Sequence, residues 1–170
     1  MKLSRGLATA AAFVALGLQA NLAHARGPST PEERAKVVEL TRSLERDPLA
    51  ETARGTRQWL LEWTTEVPDL SVKLCADLLG PALDDKYPYS GEVNLQMVFS
   101  AAAFVIEHPD KAKSDIAMYT AGAEGALRVY EVLVKSKPEA KLAFLDDLVA
   151  KRDHGELQDH VAKVAKKKCK

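Results

Sequence analysis

The sequence predicts an all-α, single-domain bundle of about six to seven amphipathic helices around one buried central helix. Three observations predict it. Apolar residues recur at spacings of three and four through most of the chain, helix-start and helix-stop residues bound those stretches, and one stretch is apolar on every side. That stretch, residues 92–107 (EVNLQMVFSAAAFVIE), has charges only at its two ends, and a helix hydrophobic all round has to be buried. Its apolar run, Val93 to Ile106, falls short of the roughly 20 residues a bilayer needs and contains Asn94, Gln96 and Ser100, so it reads as a core helix.

The first 25 residues read as a secretory signal peptide. Lys2 and Arg5 precede an apolar stretch centred on Ala10 to Leu18, and Ala23-His24-Ala25 is a small-x-small cleavage site, so cleavage is expected after Ala25. Residues 26–170 then have the size of one ordinary domain, expected in the periplasm or outside the cell with no transmembrane span. Removal of Lys2 and Arg5 leaves 22 basic residues against 24 acidic, a formal net charge of −2, which argues against a general nucleic-acid binder. Cys75 and Cys169 remain, and in an oxidising compartment an even count is read first as a disulfide. Such a bridge pins the last helix to the core.

Arg26 to Ser29 is expected to be a mobile leader. Thr30-Pro31-Glu32-Glu33 is a capping box that opens the first helix, with Val37, Leu40 and Leu44 inward, Arg34, Glu45 and Arg46 on the wet side, and Asp47-Pro48 as the stop. The second helix is expected from about Leu49 to Glu66, with Ala53, Thr56, Trp59, Leu60 and Trp63 on its stripe. Trp59 and Trp63 are four apart and suit either a core or a stacking platform for carbohydrate or peptide; the core is the commoner use. After Val67-Pro68-Asp69 a third helix is expected, with Leu70, Leu74, Cys75 and Leu78 on one face and Gly80-Pro81 as its stop.

Residues 82–91 (ALDDKYPYSG) have turn chemistry and no helical period, so Asp84, Asp85, Tyr87 and Tyr89 form the candidate contact loop. The competing reading folds the tyrosine rings back on the helix ends, with Pro88 fixing the turn. Ser90 is expected to cap the central helix, which His108-Pro109-Asp110 closes. The next helix, Ser114 to Lys135, holds Ala121, Gly122 and Gly125, a small-residue face whose expected partner is Ala101-Ala102-Ala103 on the antiparallel central helix. A second capping box at Ser136-Lys137-Pro138-Glu139 opens a helix that closes at His154-Gly155. The last helix, Glu156 to about Lys167, ends among Lys163, Lys166, Lys167, Lys168 and Lys170, which complement the helix dipole or touch an anionic lipid or polymer.

No reaction is spelled out. His108, His154 and His160 are not spaced as a local metal pair, and there is no nucleophile elbow, P-loop, dinucleotide fingerprint or zincin motif. Neither a metal nor a cofactor is expected. Ala126, Tyr130, Leu133 and Pro138 match the spacing of the second helix of a tetratricopeptide repeat, but Asp110, Lys113, Ser114 and Ala117 stand where its first helix requires other residues. The expectation is a protein that binds an unidentified envelope or extracellular protein. A carrier of a small apolar ligand between helices is the alternative, and an enzyme of unrecognised type a third.

Overall fold

The computed structural model describes residues 26–169, so the signal-peptide reading and its cleavage point lie outside the described residues. Those residues form a single-domain, all-α bundle of six helices, with no strand among them. In chain order these are α1 (Pro31–Arg46), α2 (Ala53–Glu66), α3 (Ser90–Glu107), α4 (Asp115–Ser136), α5 (Ala143–Asp153) and α6 (Leu157–Lys168). Three short 3₁₀ turns, Ala76–Leu78, Gly80–Leu83 and Pro138–Ala140, occupy the connections.

Helices α3 and α4 make an antiparallel hairpin that is the largest packing interface, and each of the other four helices lies against one or both of them. Helix α3 can be apolar all round because three clusters cover it, the smallest being Ala101 and Val105 against Met118 of α4. Val37, Leu44, Leu60, Trp63 and Phe99 close one side together with α1 and α2. Val93 and Met97 join Leu127, Leu133, Leu145, Leu148, Leu157 and Val161 on the other.

The α3–α4 approach is as close as the small residues allow. A Cβ added to Gly122 would stand 2.8 Å from the Met97 carbonyl oxygen, and one added to Gly125 would stand 1.9 Å from Ser100 Oγ. Ala101, Ala102 and Ala103 are all buried on the facing helix. Ala121 is only half-buried and turns away to line a surface cleft, because its position on α4 faces α1 rather than α3.

The first capping box forms in full: Thr30 Oγ1 accepts from the Glu33 amide, and Glu33 Oε2 accepts from the Thr30 amide. The leader before it is not free. Arg26 donates to Glu33 at 2.6 Å and lies over the Trp63 ring, and Ser29 bonds Asp69 through both its amide and its hydroxyl.

Four expected elements differ. Helix α2 starts at Ala53 rather than Leu49, and Arg57 donates to the Pro48 carbonyl that a helix start there would have enclosed. The expected third helix does not form: Leu70 to Cys75 runs without helical hydrogen bonds, Leu74 is 44% exposed, and only Ala76–Leu78 turns. The chain instead runs extended there and brings Cys75 beside the end of α6, where it bonds Cys169. Tyr89, not Ser90, occupies the N-cap of α3, without a side-chain capping bond. The second capping box also fails, because Ser136 is the last residue of α4 and its hydroxyl bonds back to the Val132 carbonyl; α5 begins only at Ala143.

Candidate functional site

Three polar residues, Asn94, Gln96 and Ser100, interrupt the apolar sequence of α3. Asn94 reaches the surface, while Gln96 and Ser100 are buried and must find partners. Gln96 Nε2 donates to the Thr41 carbonyl at 3.3 Å and to Ser100 Oγ at 3.0 Å. Ser100 Oγ in turn donates to Glu45 Oε1 at 2.8 Å. Glu45, the expected wet-side residue of α1, is therefore a buried carboxylate, with its side chain only 6% exposed.

Two guanidiniums close over it. Arg42, one turn earlier on α1, donates to Glu45 Oε1 at 2.8 Å, and Arg128 from α4 donates through Nε to Oε2 at 2.9 Å and through Nη2 to Oε1 at 3.0 Å. Burial pushes the Glu45 carboxyl upward, but the hydrogen bonds from Arg128 and Ser100 and the charges of Arg128 and Arg42 outweigh it and hold it below the usual carboxylate range. Arg42 continues to Glu107 at the end of α3, at 2.7 Å. Gly125 makes the arrangement possible: any side chain there would collide with Ser100 and stand 3.0 Å from Glu45 Oε1.

This network floors an open cleft of about 650 Å³ between α1 and α4. Arg42 and Glu45 form one wall, Ala117, Thr120, Ala121, Glu124 and Arg128 the other, and Ser100, Phe104, Glu107, His108 and Lys111 the base and end. Arg42, Lys111 and Arg128 balance Glu45, Glu107 and Glu124 in formal charge. The His108 ring lies against Phe104 with centroids 4.9 Å apart.

Glu45 has both oxygens engaged and stays ionised near neutral pH, so it is a poor proton donor or acceptor. Its chemical role is to fix two guanidiniums. Arg42 Nε and Arg128 Nη1 take part in none of the hydrogen bonds above, the latter lying 3.8 Å from Glu124. Guanidiniums held in one orientation suit planar carboxylate partners.

The sequence-predicted residues fall elsewhere. Cys75 and Cys169 are bonded to each other, with Cα atoms 5.5 Å apart, tying the end of α6 beside the Ala76–Leu78 turn. Tyr87 is buried and its hydroxyl donates to the Ala140 carbonyl at 2.9 Å; burial pushes its phenol well above the ordinary range. Tyr89 is half-buried, edge-on to Tyr87, and donates to Glu139 at 3.1 Å. Asp84 and Asp85 are exposed, and Asp84 Oδ1 accepts from the Lys86 amide. Trp63 is 2% exposed, and Trp59 stacks on it under the ammonium of Lys36. Among the described residues no group of three His, Cys, Asp or Glu side chains is placed to hold a metal ion.

The network beneath the cleft escaped the sequence reading because its residues come from three helices, with the bonded pair Glu45 and Arg128 83 positions apart. The available signal was Gln96 and Ser100: polar groups in an otherwise apolar helix announce a buried network without naming its partners.

Comparison of the chain with protein-family models, curated proteins and solved structures finds no match.

Proposed function

We propose that the protein acts by binding another protein, with the cleft between α1 and α4 as the recognition surface. The observation that supports this is a wide, open, charge-balanced cleft whose walls are fixed from beneath by a buried network. Preorganised side chains cost little to order on binding, and paired charges of both signs give specificity more than raw affinity. A cleft open to water and rimmed with Lys111, Glu107 and Glu124 favours a polar protein surface over the enclosed apolar pocket that a carrier would use. We further propose that binding takes place in the periplasm or outside the cell. The Cys75–Cys169 bond supports an oxidising compartment, and among the described residues no helix is long and apolar enough to cross a membrane.

The test is capture of partners from an envelope extract with the parent and two variants. Exchanging rim charges in Lys111→Glu/Glu124→Lys keeps the net charge and should abolish capture. Asp84→Ala/Asp85→Ala should leave it intact. The reverse pattern returns the function to the loop at 82–91, and a lipid that co-purifies stoichiometrically in native mass spectrometry favours the carrier.

A further inference from the structure

Helix α6 sends Leu157, Val161 and Ala165 into the core and leaves Lys163, Lys166 and Lys167 exposed. The neighbouring basic residues are used: Lys168 pairs with Asp77 at 3.0 Å, Lys151 with Asp147, and Lys141 with Asp146. Lys163, Lys166 and Lys167 enter no ion pair among the described residues. The helix dipole accounts for cations in the last turn, which holds Lys166, Lys167 and Lys168, but Lys163 lies a turn earlier. Lys163 and Lys167 are four apart on one face and repel each other. The disulfide at Cys169 holds the helix end in place despite that repulsion.

Beside Lys163 and Lys167 runs an open groove of about 230 Å³ lined by His160, Lys163, Val164, Lys167 and Lys168, while toward the start of α6 Lys163 shares a second groove with Glu156 and Asp159. Val164 is half-buried at its centre, while the lysines are exposed around it. No buried donor encloses a single anion here. The arrangement is a row of cations beside an apolar strip, presented on the side of a helix whose rise of about 1.5 Å per residue spreads Lys163 and Lys167 over roughly 6 Å. That suits a surface bearing many phosphates better than one phosphate held in a pocket.

We propose that this face of α6 docks on an anionic phospholipid surface, with Lys163 and Lys167 over lipid phosphates and Val164 and the lysine stems against the headgroup layer. The site is separate from the α1–α4 cleft, so partner binding and surface binding can occur together.

The oxidised protein is titrated with vesicles of phosphatidylcholine alone and with phosphatidylglycerol added. Binding is expected only to the anionic vesicles and is lost at high salt. Each basic residue at such a surface contributes about fivefold, so Lys163→Gln/Lys167→Gln weakens binding on the order of 30-fold. Lys163→Arg/Lys167→Arg retains it, as does a remote pair, Lys135→Gln/Lys137→Gln. Equal binding to neutral vesicles, absence of binding to anionic ones, or a double glutamine variant that binds like the parent overturns the proposal. Displacement by inorganic phosphate at matched ionic strength overturns it in favour of a single-anion site, and tighter retention on heparin than on vesicles in favour of a soluble polyanion.

Discussion

The two faces of α4 are held to the rest of the molecule by opposite means. Toward α1 and α3, Gly125 and Arg128 meet a buried carboxylate and a serine hydroxyl in a network that tolerates no extra atom. Toward α5 and α6, Leu127, Tyr130 and Leu133 meet an apolar cluster, and a covalent bond at Cys169 ties down the end of α6. The first face is specified by stereochemistry and charge, the second by apolar burial and chain connectivity. They should therefore fail under different insults.

The largest expected effect is on the tied face. Cys75→Ser, or reduction, removes a link between residues 94 apart and should lower unfolding free energy by up to about 5 kcal/mol on the chain-entropy account. Urea unfolding with and without reductant measures it, and proteolysis should cut near α6 first. Free thiols in the unreduced, unfolded protein would break the comparison at its second term.

Next comes Gly125→Ala. The added methyl must displace Ser100 from a helix buried on both sides, and about 3 kcal/mol of destabilisation is expected, near the upper end for overpacking. Adding Ser100→Gly should restore part of the loss, since it removes the atoms in collision while giving up the hydroxyl bonded to Glu45. A Gly125→Ala variant that unfolds like the parent shows that the close α3–α4 approach is not a constraint.

Glu45→Gln follows, at about 2 kcal/mol. The figure is below that for a fully buried pair because Arg42 and Arg128 are each about a third exposed and can turn to water. The loss should also depend on pH. A carboxylate whose folded pKa is depressed contributes stability above the unfolded value of about 4.3 and loses it as pH falls through the folded pKa. The gap between parent and variant should thus hold from pH 7 to about 5 and close in stronger acid.

The tied face was largely legible in the sequence and the network was not. Two cysteines in a chain with a signal-like leader, and leucines at helical spacing, are statements about single segments. They led to the disulfide, the six helices and the burial of α3. The failures were places where a local pattern lost to tertiary context. Leu70 and Leu74 keep helical spacing between prolines, yet the chain there extends to bring Cys75 under α6. Ser136 to Glu139 spells a capping box, yet α4 has already taken Ser136. Glu45 follows the wet-side pattern of α1, yet Gly125 opens a space for it that only the meeting of three helices creates. Tyr87 and Tyr89 look alike in the loop, while one is buried in the larger apolar cluster and the other only packs against its edge.

The smallest expected effect separates those two tyrosines and tests the alkaline side of the comparison. Tyr87 donates to the Ala140 carbonyl inside the apolar cluster, so Tyr87→Phe leaves a buried acceptor unsatisfied and should cost about 1 kcal/mol. Tyr89→Phe gives up an exposed bond to Glu139 and should change stability by less than about 0.5 kcal/mol. Tyr130 completes the pattern: its hydroxyl donates to Asp146 at 2.6 Å and accepts from the Leu142 amide at 3.0 Å, and burial, with the Asp146 bond, pushes its phenol up to about 12. A phenol with a raised folded pKa contributes stability that is complete below the unfolded value of about 10 and is lost as pH climbs through the folded one. The α5 face should consequently weaken above pH 10, where the Glu45 network is unchanged. A stability profile of Glu45→Gln that runs parallel to the parent in alkali, beside one of Tyr130→Phe that lies below the parent by a constant gap up to about pH 10 and converges with it above, would establish the two faces as independent. Gaps that change for both variants in both acid and alkali would show that α4 responds as one unit.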